Sequence, residues 1–248
     1  KLAAGSDVIV LDVKTGSGAF MKSYEDSLAL AKEMVKIGTI AGRKTYAVIT
    51  DMNQPLGYSV GNTLEVIEAI DTLNGKGPED LLEVSLALAS QMLVGAGAAK
   101  DTLEARKMLL ATIEDKSALN KFAEFIAAQG GDSRFVYDTG LFEKASLSYD
   151  LTSTENGFVA KIRTDEVGMA SLLLGDGRQT KESTIDLTVG IILKKKLGDK
   201  VAAGETLATL YANDENKLRQ ATERLAKAFT IQKNIMPAKH KYVYAMVT

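Results

Sequence analysis

The sequence predicts an α/β protein: a central mixed, largely parallel sheet flanked by helices, followed by a β-rich α+β module with a hammerhead half-barrel. Three observations carry this. Asp7 to Val13 and Lys44 to Met52 are aliphatic and β-branched runs separated by a stretch with helical spacing, Tyr24 to Ile40, which makes a βαβ unit. After Asp132 the composition changes to short strands, glycines and turns. Within that region Leu197 to Leu207 places two glycine turns, Gly198 and Gly204, around a short alternating strand. The chain therefore divides into residues 1–132, the main part of the α/β domain, and 133–248, the α+β module.

Each element has its own signal. Lys1-Leu2-Ala3-Ala4-Gly5 reads as the last turn of a helix closed by a glycine C-cap, because glycine tolerates the left-handed conformation of a helix exit. A domain seldom begins with the end of a helix, so the chain is expected to be part of a longer polypeptide. Asp7 to Val13 is the pattern of a central strand buried on both faces. Ser23 with Asp26 caps the first long helix. Asn62 with Glu65 opens a helix reaching Leu73, and three further helices run from Gly77 to about Gly130, the second opened by Asp101 with Glu104 and the third by Ser117. The apolar positions Leu81, Leu82, Val84, Leu86, Leu88 and Met92 are those of a buried helix. Beyond Asp132 the readings are strands at Gly157 to Arg163, Ile185 to Leu197 and Glu205 to Tyr211, and helices near Asp165 to Leu174 and Glu215 to Ile231. Tyr242 to Met246 closes the chain as an edge strand. The half-barrel looks like that of lipoyl and biotinyl domains, but no lysine sits in a hairpin suited to a prosthetic group, so the module is structural.

Composition narrows the function. The chain has 248 residues, 46% of them apolar, with 30 basic against 32 acidic side chains. That near balance offers no electrostatic footprint for nucleic acid or an anionic membrane. There is no cysteine, which excludes disulfides, thiolate metal sites and a cysteine nucleophile, and suits a cytoplasmic protein. His240 is the only histidine and reads as a solvated tail residue. No Ser-His-Asp arrangement and no histidine pair for zinc can be built.

Two loops at strand ends should border one cleft, since open α/β sheets bind ligands there. Gly16-Ser17-Gly18-Ala19-Phe20-Met21 departs from the dinucleotide fingerprint at Met21 and lacks the acidic residue that would hold a ribose. Both a plain glycine turn and a ligand-facing loop fit it, with Phe20 either an apolar face for a heterocycle or the first core residue of the next helix. Asp12 and Lys14 end the first strand and read as a structural pair. Glu65 and Glu68, behind the Asn53 to Tyr58 loop, make an oxygen-rich corner that taken alone is more often a cap with a solvated carboxylate than a cation site, since hard cations want several oxygens.

Val10-Leu11-Asp12-Val13-Lys14-Thr15-Gly16-Ser17-Gly18-Ala19-Phe20-Met21, Thr50 to Gly57, Gly61 to Val66, Gly157-Phe158-Val159 and Asp186 to Gly190 resemble the pyrimidine-nucleoside and thymidine phosphorylase family. Gln54-Pro55-Leu56-Gly57-Tyr58 is similar to the pyrimidine-nucleoside branch. The resemblance implies reversible phosphorolysis of uridine, thymidine or deoxyuridine by a cytoplasmic homodimer, with inorganic phosphate as co-substrate and no organic cofactor. It implies that Phe20 packs against the base. It also implies that the backbone carbonyls of Leu56 and Ser59 and the Glu68 carboxylate hold a monovalent cation, potassium. The family's Lys-His-Ser-Thr-Gly-Gly phosphate segment and its base-gripping arginine and serine would precede Lys1, which matches the second lysine of a pair whose first binds the pyrimidine. Lys1 is given no role, no directly catalytic residue is expected here, and this stretch alone is expected to be inactive. The competing reading is a non-catalytic metabolite-binding or interaction module.

Overall fold

The computed structural model describes residues 1–178, 180–233 and 240–248. Strand β1 (Val8–Thr15), helix α1 (Tyr24–Ile40) and strand β2 (Lys44–Asp51) form the βαβ unit, with the strands parallel and in register from Val8 opposite Lys44 to Thr15 opposite Asp51. Ser23 caps α1 reciprocally: its Oγ accepts from the Asp26 amide at 3.1 Å and donates to Asp26 Oδ2 at 2.7 Å. Strand β3 (Ser59–Val60) and helices α2 (Asn62–Leu73), α3 (Glu79–Gly95), α4 (Thr102–Glu114), α5 (Ser117–Ala128) and α6 (Arg134–Tyr137) follow.

Alternation along the strands decides which helix covers which face. Val13, Ala47 and Ile49 point to one side and pack with Ala31 and Val35 of α1. Val8 and Tyr46 point to the other, where α3 lies so close that a Cβ on Gly95 would stand 2.6 Å from Val8 Cγ1 and 2.8 Å from Tyr46 Cε2. Helix α4 packs on α3, and α5 packs on α4 and α2.

The second half contains β4 (Leu147–Thr152), β5 (Gly157–Ile162), α7 (Thr164–Leu174), β6 (Gly190–Leu193), β7 (Lys200–Val201), β8 (Thr206–Ala212), α8 (Glu215–Ala226), β9 (Phe229–Gln232) and β10 (Val243–Val247). Two antiparallel sheets, β3-β6-β8-β4 and β7-β5-β9, share one core with α7 and α8, in which Val167, Leu210 and Leu225 are fully buried. Neither sheet closes into a barrel.

Two differences from the sequence reading have local causes. The last helix stops at Ala226, because Phe229-Thr230-Ile231 is aromatic and β-branched and pairs with β5. The strand expected over Ile185 to Leu197 shortens to Gly190–Leu193, since Asp186 turns the preceding chain by accepting from the Thr188 amide and hydroxyl at 3.0 and 2.7 Å. In the described sheet β2 is flanked on both sides, by β1 in parallel and by β10 antiparallel, with Ala245 opposite Ile49 and Met246 opposite Val48. The sheet is thus mixed, and the two halves of the chain interleave, β3 lying in the second half's sheet and β10 in the first half's. Among the described residues no helix is long and apolar enough to cross a membrane.

The close approach at Gly95 makes a direct prediction. Gly95→Ala should destabilise the fold by about 1–3 kcal/mol through overpacking against Val8 and Tyr46. Urea denaturation measures it, and an unchanged or raised midpoint would show that the sheet yields to the added methyl.

Candidate functional site

The loops after β1 and β2 lie side by side because their strands are parallel and in register. The first is pinched shut by the Gly16 amide on the Met21 carbonyl at 3.2 Å. Gly16 has φ 126°, and a Cβ there would fall 2.7 Å from the Asn53 side chain; one on Gly18 would fall 2.5 Å from Thr164 Cγ2. Both glycines thus serve close approach, to the second loop and to α7 respectively. Ser17 joins the three segments. Its amide donates to Asn53 Oδ1 at 3.2 Å, and its Oγ accepts from the Thr164 amide at 3.2 Å and donates to the Ile162 carbonyl at 3.2 Å. The helix α7 has no cap from its own neighbouring side chain, so a hydroxyl 147 residues away in sequence fills that role.

Phe20 is 93% exposed at the tip of the first loop, which removes its reading as a core residue of α1. It borders a groove with Met21, Met52, Asp12 and Lys14. Asp12 is ion-paired with Lys14 Nζ at 2.8 Å and accepts a hydrogen bond from Thr50 Oγ1 at 2.5 Å, the structural pairing that strand-end charges call for.

Under the second loop lies Asp51, 5% exposed. Its carboxylate accepts from the Asn53 amide at 3.1 Å, Asn53 Nδ2 at 2.8 Å and Tyr244 Oη at 2.8 Å, and it is paired with His240 Nε2 at 2.8 Å. His240 is therefore not a solvated tail residue: the antiparallel return of β10 brings it back to the end of β2. Burial alone would raise the Asp51 carboxyl, but the donors His240, Tyr244 and Asn53 outweigh it and hold it below its ordinary 3.8. Burial and the Asp51 charge push the Tyr244 phenol up to about 12.

Beyond Asn53 the chain crosses a cavity of about 510 Å³ lined by Leu56, Ser59, Glu65, Glu68, Thr164 and Asp165 among others. Glu68 Oε1 accepts from the amides of Tyr58 and Ser59 at 2.9 and 3.2 Å and from Ser59 Oγ at 3.3 Å, while among the described residues Oε2 has only a 3.4 Å hydrogen bond from the Ser59 amide. Glu65 accepts from the Gly61 amide at 3.1 Å, and burial, together with Asp176 and Glu68, raises its carboxyl. Asn62 is the first residue of α2 and not its cap; its side chain donates to Asp176 Oδ1 at 2.6 Å.

On the opposite side of the same loop sits Lys196, 8% exposed. Its ammonium donates to the carbonyls of Pro55 and Gly57 and pairs with Asp80 Oδ2 at 2.8 Å. Burial, the largest influence, pulls the Lys196 ammonium below its usual range against the opposing pull of Asp80. Asp80 Oδ2 also accepts from the Gly57 amide at 3.1 Å. The peptide bonds are trans, so the carbonyl and N–H of each point opposite ways. The Gly57 carbonyl meets Lys196 while the Tyr58 amide meets Glu68, which puts Lys196 and Glu68 on opposite sides. The Gly57 amide faces Asp80, on the Lys196 side, so the Leu56 carbonyl of the same trans peptide points away from Asp80. The structure thus brings Leu56, Ser59 and Glu68 together, with a carboxylate oxygen to spare, while Phe20 stands apart at the cleft's lip. Sequence reasoning missed Lys196, which in Lys194-Lys195-Lys196 has no feature to separate it from two further lysines.

Two family models match the chain: the glycosyl transferase family a/b domain over residues 1–119 and the pyrimidine nucleoside phosphorylase C-terminal domain over residues 158–232. The chain is 52% identical to a pyrimidine-nucleoside phosphorylase of Bacillus subtilis, over 100% of this chain and 57% of that protein. It is 55% identical to that of Geobacillus stearothermophilus, over 87% of this chain and 50% of the relative. With that of Staphylococcus haemolyticus the figures are 52%, 93% and 54%. The chain spans about half the length of the curated relatives it matches.

The Asp51 cluster predicts a pH-dependent stability. A carboxylate whose pKa is lower in the folded than in the unfolded chain stabilises the fold above the unfolded value and loses that contribution as the pH falls through the folded one. Asp51→Asn should therefore cost about 2–3 kcal/mol at neutral pH, with the gap to the unmodified protein closing as the pH drops below about 4. Urea melts of both proteins across that range measure it; a gap independent of pH would mean that the charge of Asp51 is not what matters.

Proposed function

The chain belongs to the pyrimidine-nucleoside phosphorylase family, and we propose that it serves in the reversible phosphorolysis of uridine, thymidine or deoxyuridine to free base and pentose 1-phosphate. The observation that carries this reading is the convergence of the Gly16–Met21 loop, the 53–59 loop and the start of α7 on one cleft at the C-terminal ends of the parallel strands. In the reaction a phosphate oxygen bonds to the anomeric carbon as the glycosidic C–N bond breaks, and the electron pair leaves with the pyrimidine. Holding the two substrates in line and answering the charge that develops on base and sugar are the main demands on the protein.

This chain's contribution to those demands is a surface and a support. Phe20 offers an exposed aromatic ring at the lip of the cleft, suited to a flat pyrimidine. Ser17 and Asn53 lock the loop beneath that ring to the ends of β2 and α7, so the ring is presented from a braced segment. The carbonyls of Leu56 and Ser59 with Glu68 Oε2 would hold a potassium ion, whose chemistry when bound is that of a fixed positive charge bracing this side of the cleft. The lightly engaged Oε2 of Glu68 and a Leu56 carbonyl turned away from Asp80, on the lining of one cavity, support that reading. Family membership supports inorganic phosphate as co-substrate and a homodimer, and the cysteine-free composition supports a cytoplasmic setting.

Phosphate-dependent release of uracil from uridine by the full-length protein, together with its mass in solution, tests the proposal; no release with either uridine or thymidine would overturn it. In that protein Phe20→Ala should raise the nucleoside KM by about tenfold, equivalent to about 1.4 kcal/mol of lost stacking, and leave the phosphate KM nearly unchanged. Equal effects on both constants would remove Phe20 from the base site. Glu68→Ala should abolish any activation by potassium, and an ion response that survives it would remove Glu68 from the cation site.

A further inference from the structure

We propose that Lys196 and Asp80 are positioning residues that orient the Leu56–Gly57 peptide and thereby set the affinity of the loop for a monovalent cation, an inference that rests on the cation reading above. Lys196 stands on the turn after β6, in the second half of the chain, and reaches into a loop of the first. Its ammonium takes the carbonyls on both sides of Leu56, those of Pro55 and Gly57, while Asp80 takes the Gly57 amide at 3.1 Å. Three of the polar groups flanking the Leu56 carbonyl are therefore fixed from one side, the trans peptide turns that carbonyl away from Asp80, and Leu56 lines one cavity with Ser59 and Glu68. Gly57 has φ 71° and, as a glycine, has more alternative conformations open to it than any other residue, so these fixed partners narrow its choice.

The support is itself fastened. The Lys196 amide donates to Asp199 Oδ2 at 2.7 Å, the Leu197 amide donates to Gln54 Oε1 at 2.9 Å, and Nζ lies 5.2 Å from the centre of the Tyr58 ring. A buried ammonium this fully engaged has no freedom to serve as a substrate contact. Its geometry is that of a permanent cation on one side of a carbonyl strip whose other side is open to an exchangeable one. Residues that orient cation ligands from behind change ion affinity by about ten- to a hundredfold when removed.

The test is a potassium titration of the full-length enzyme, read both by activity and by the rise in melting temperature, for the unmodified protein and for Lys196→Met, Lys196→Gln and Lys196→Arg. Lys196→Met should raise the potassium midpoint by about tenfold or more in both readouts, and Lys196→Arg, which keeps a charged donor, should bring it back to within about threefold. Lys196→Gln keeps one donor and should give an intermediate midpoint, so it carries the test if the methionine variant does not fold. Unchanged midpoints in the folded variants, beside a normal response of the unmodified enzyme that Glu68→Ala abolishes, would overturn the role of Lys196 alone. A response that is absent from the unmodified enzyme, or that survives Glu68→Ala, would overturn the cation reading beneath it.

Discussion

A carboxylate buried at the end of a strand must be answered by donors, and the four contacts that answer Asp51 organise much of the molecule. Two come from Asn53 and fix the turn that leaves β2. The others, from His240 and Tyr244, fasten the last strand of the chain to the sheet. Asn53, so held, offers its Oδ1 to Ser17 and sets the height of the loop that carries Phe20. One charge therefore ties the chain's end, β2 and both cleft loops into a single arrangement.

The cleft is a joint product of the two halves of the chain. The first supplies the loops and the carboxylates of Glu65 and Glu68; the second supplies Thr164 beside Gly18, and Lys196 behind the 55–57 carbonyls. The strands β3 and β10 cross over in opposite senses, so each half completes a sheet of the other. Such interleaving explains why the polar contacts that matter most here join residues far apart in sequence.

That same fact governs what could be read from the sequence. The βαβ unit was legible because Val8 to Val13 and Lys44 to Asp51 carry their own periodicity, and the caps at Ser23 and Asp101 because a cap is a local event. The corner formed by Leu56, Ser59 and Glu68 was reached through family resemblance, and its members sit within one loop and the adjoining helix. Lys196 and His240 were not legible. A lysine among lysines and a histidine in a polar tail become engaged only when a distant carboxylate or carbonyl is brought to them, and no spacing rule encodes that meeting. The strand β9 was lost for a different reason: Glu215 to Ile231 was read as one helix, and the aromatic and β-branched Phe229-Thr230-Ile231 goes to the edge of β5 instead.

The hydroxyl of Ser17, borrowed by α7 as its cap, bears on how the molecule moves as well as how it is held. Parting the glycine loop from α7 would strip the helix of that bond, at a cost of about 1 kcal/mol, and would open the packing of Gly18 on Thr164 with it. The loop and the helix are therefore coupled, and any movement that carries the aromatic tip away from α7 must meet that cost.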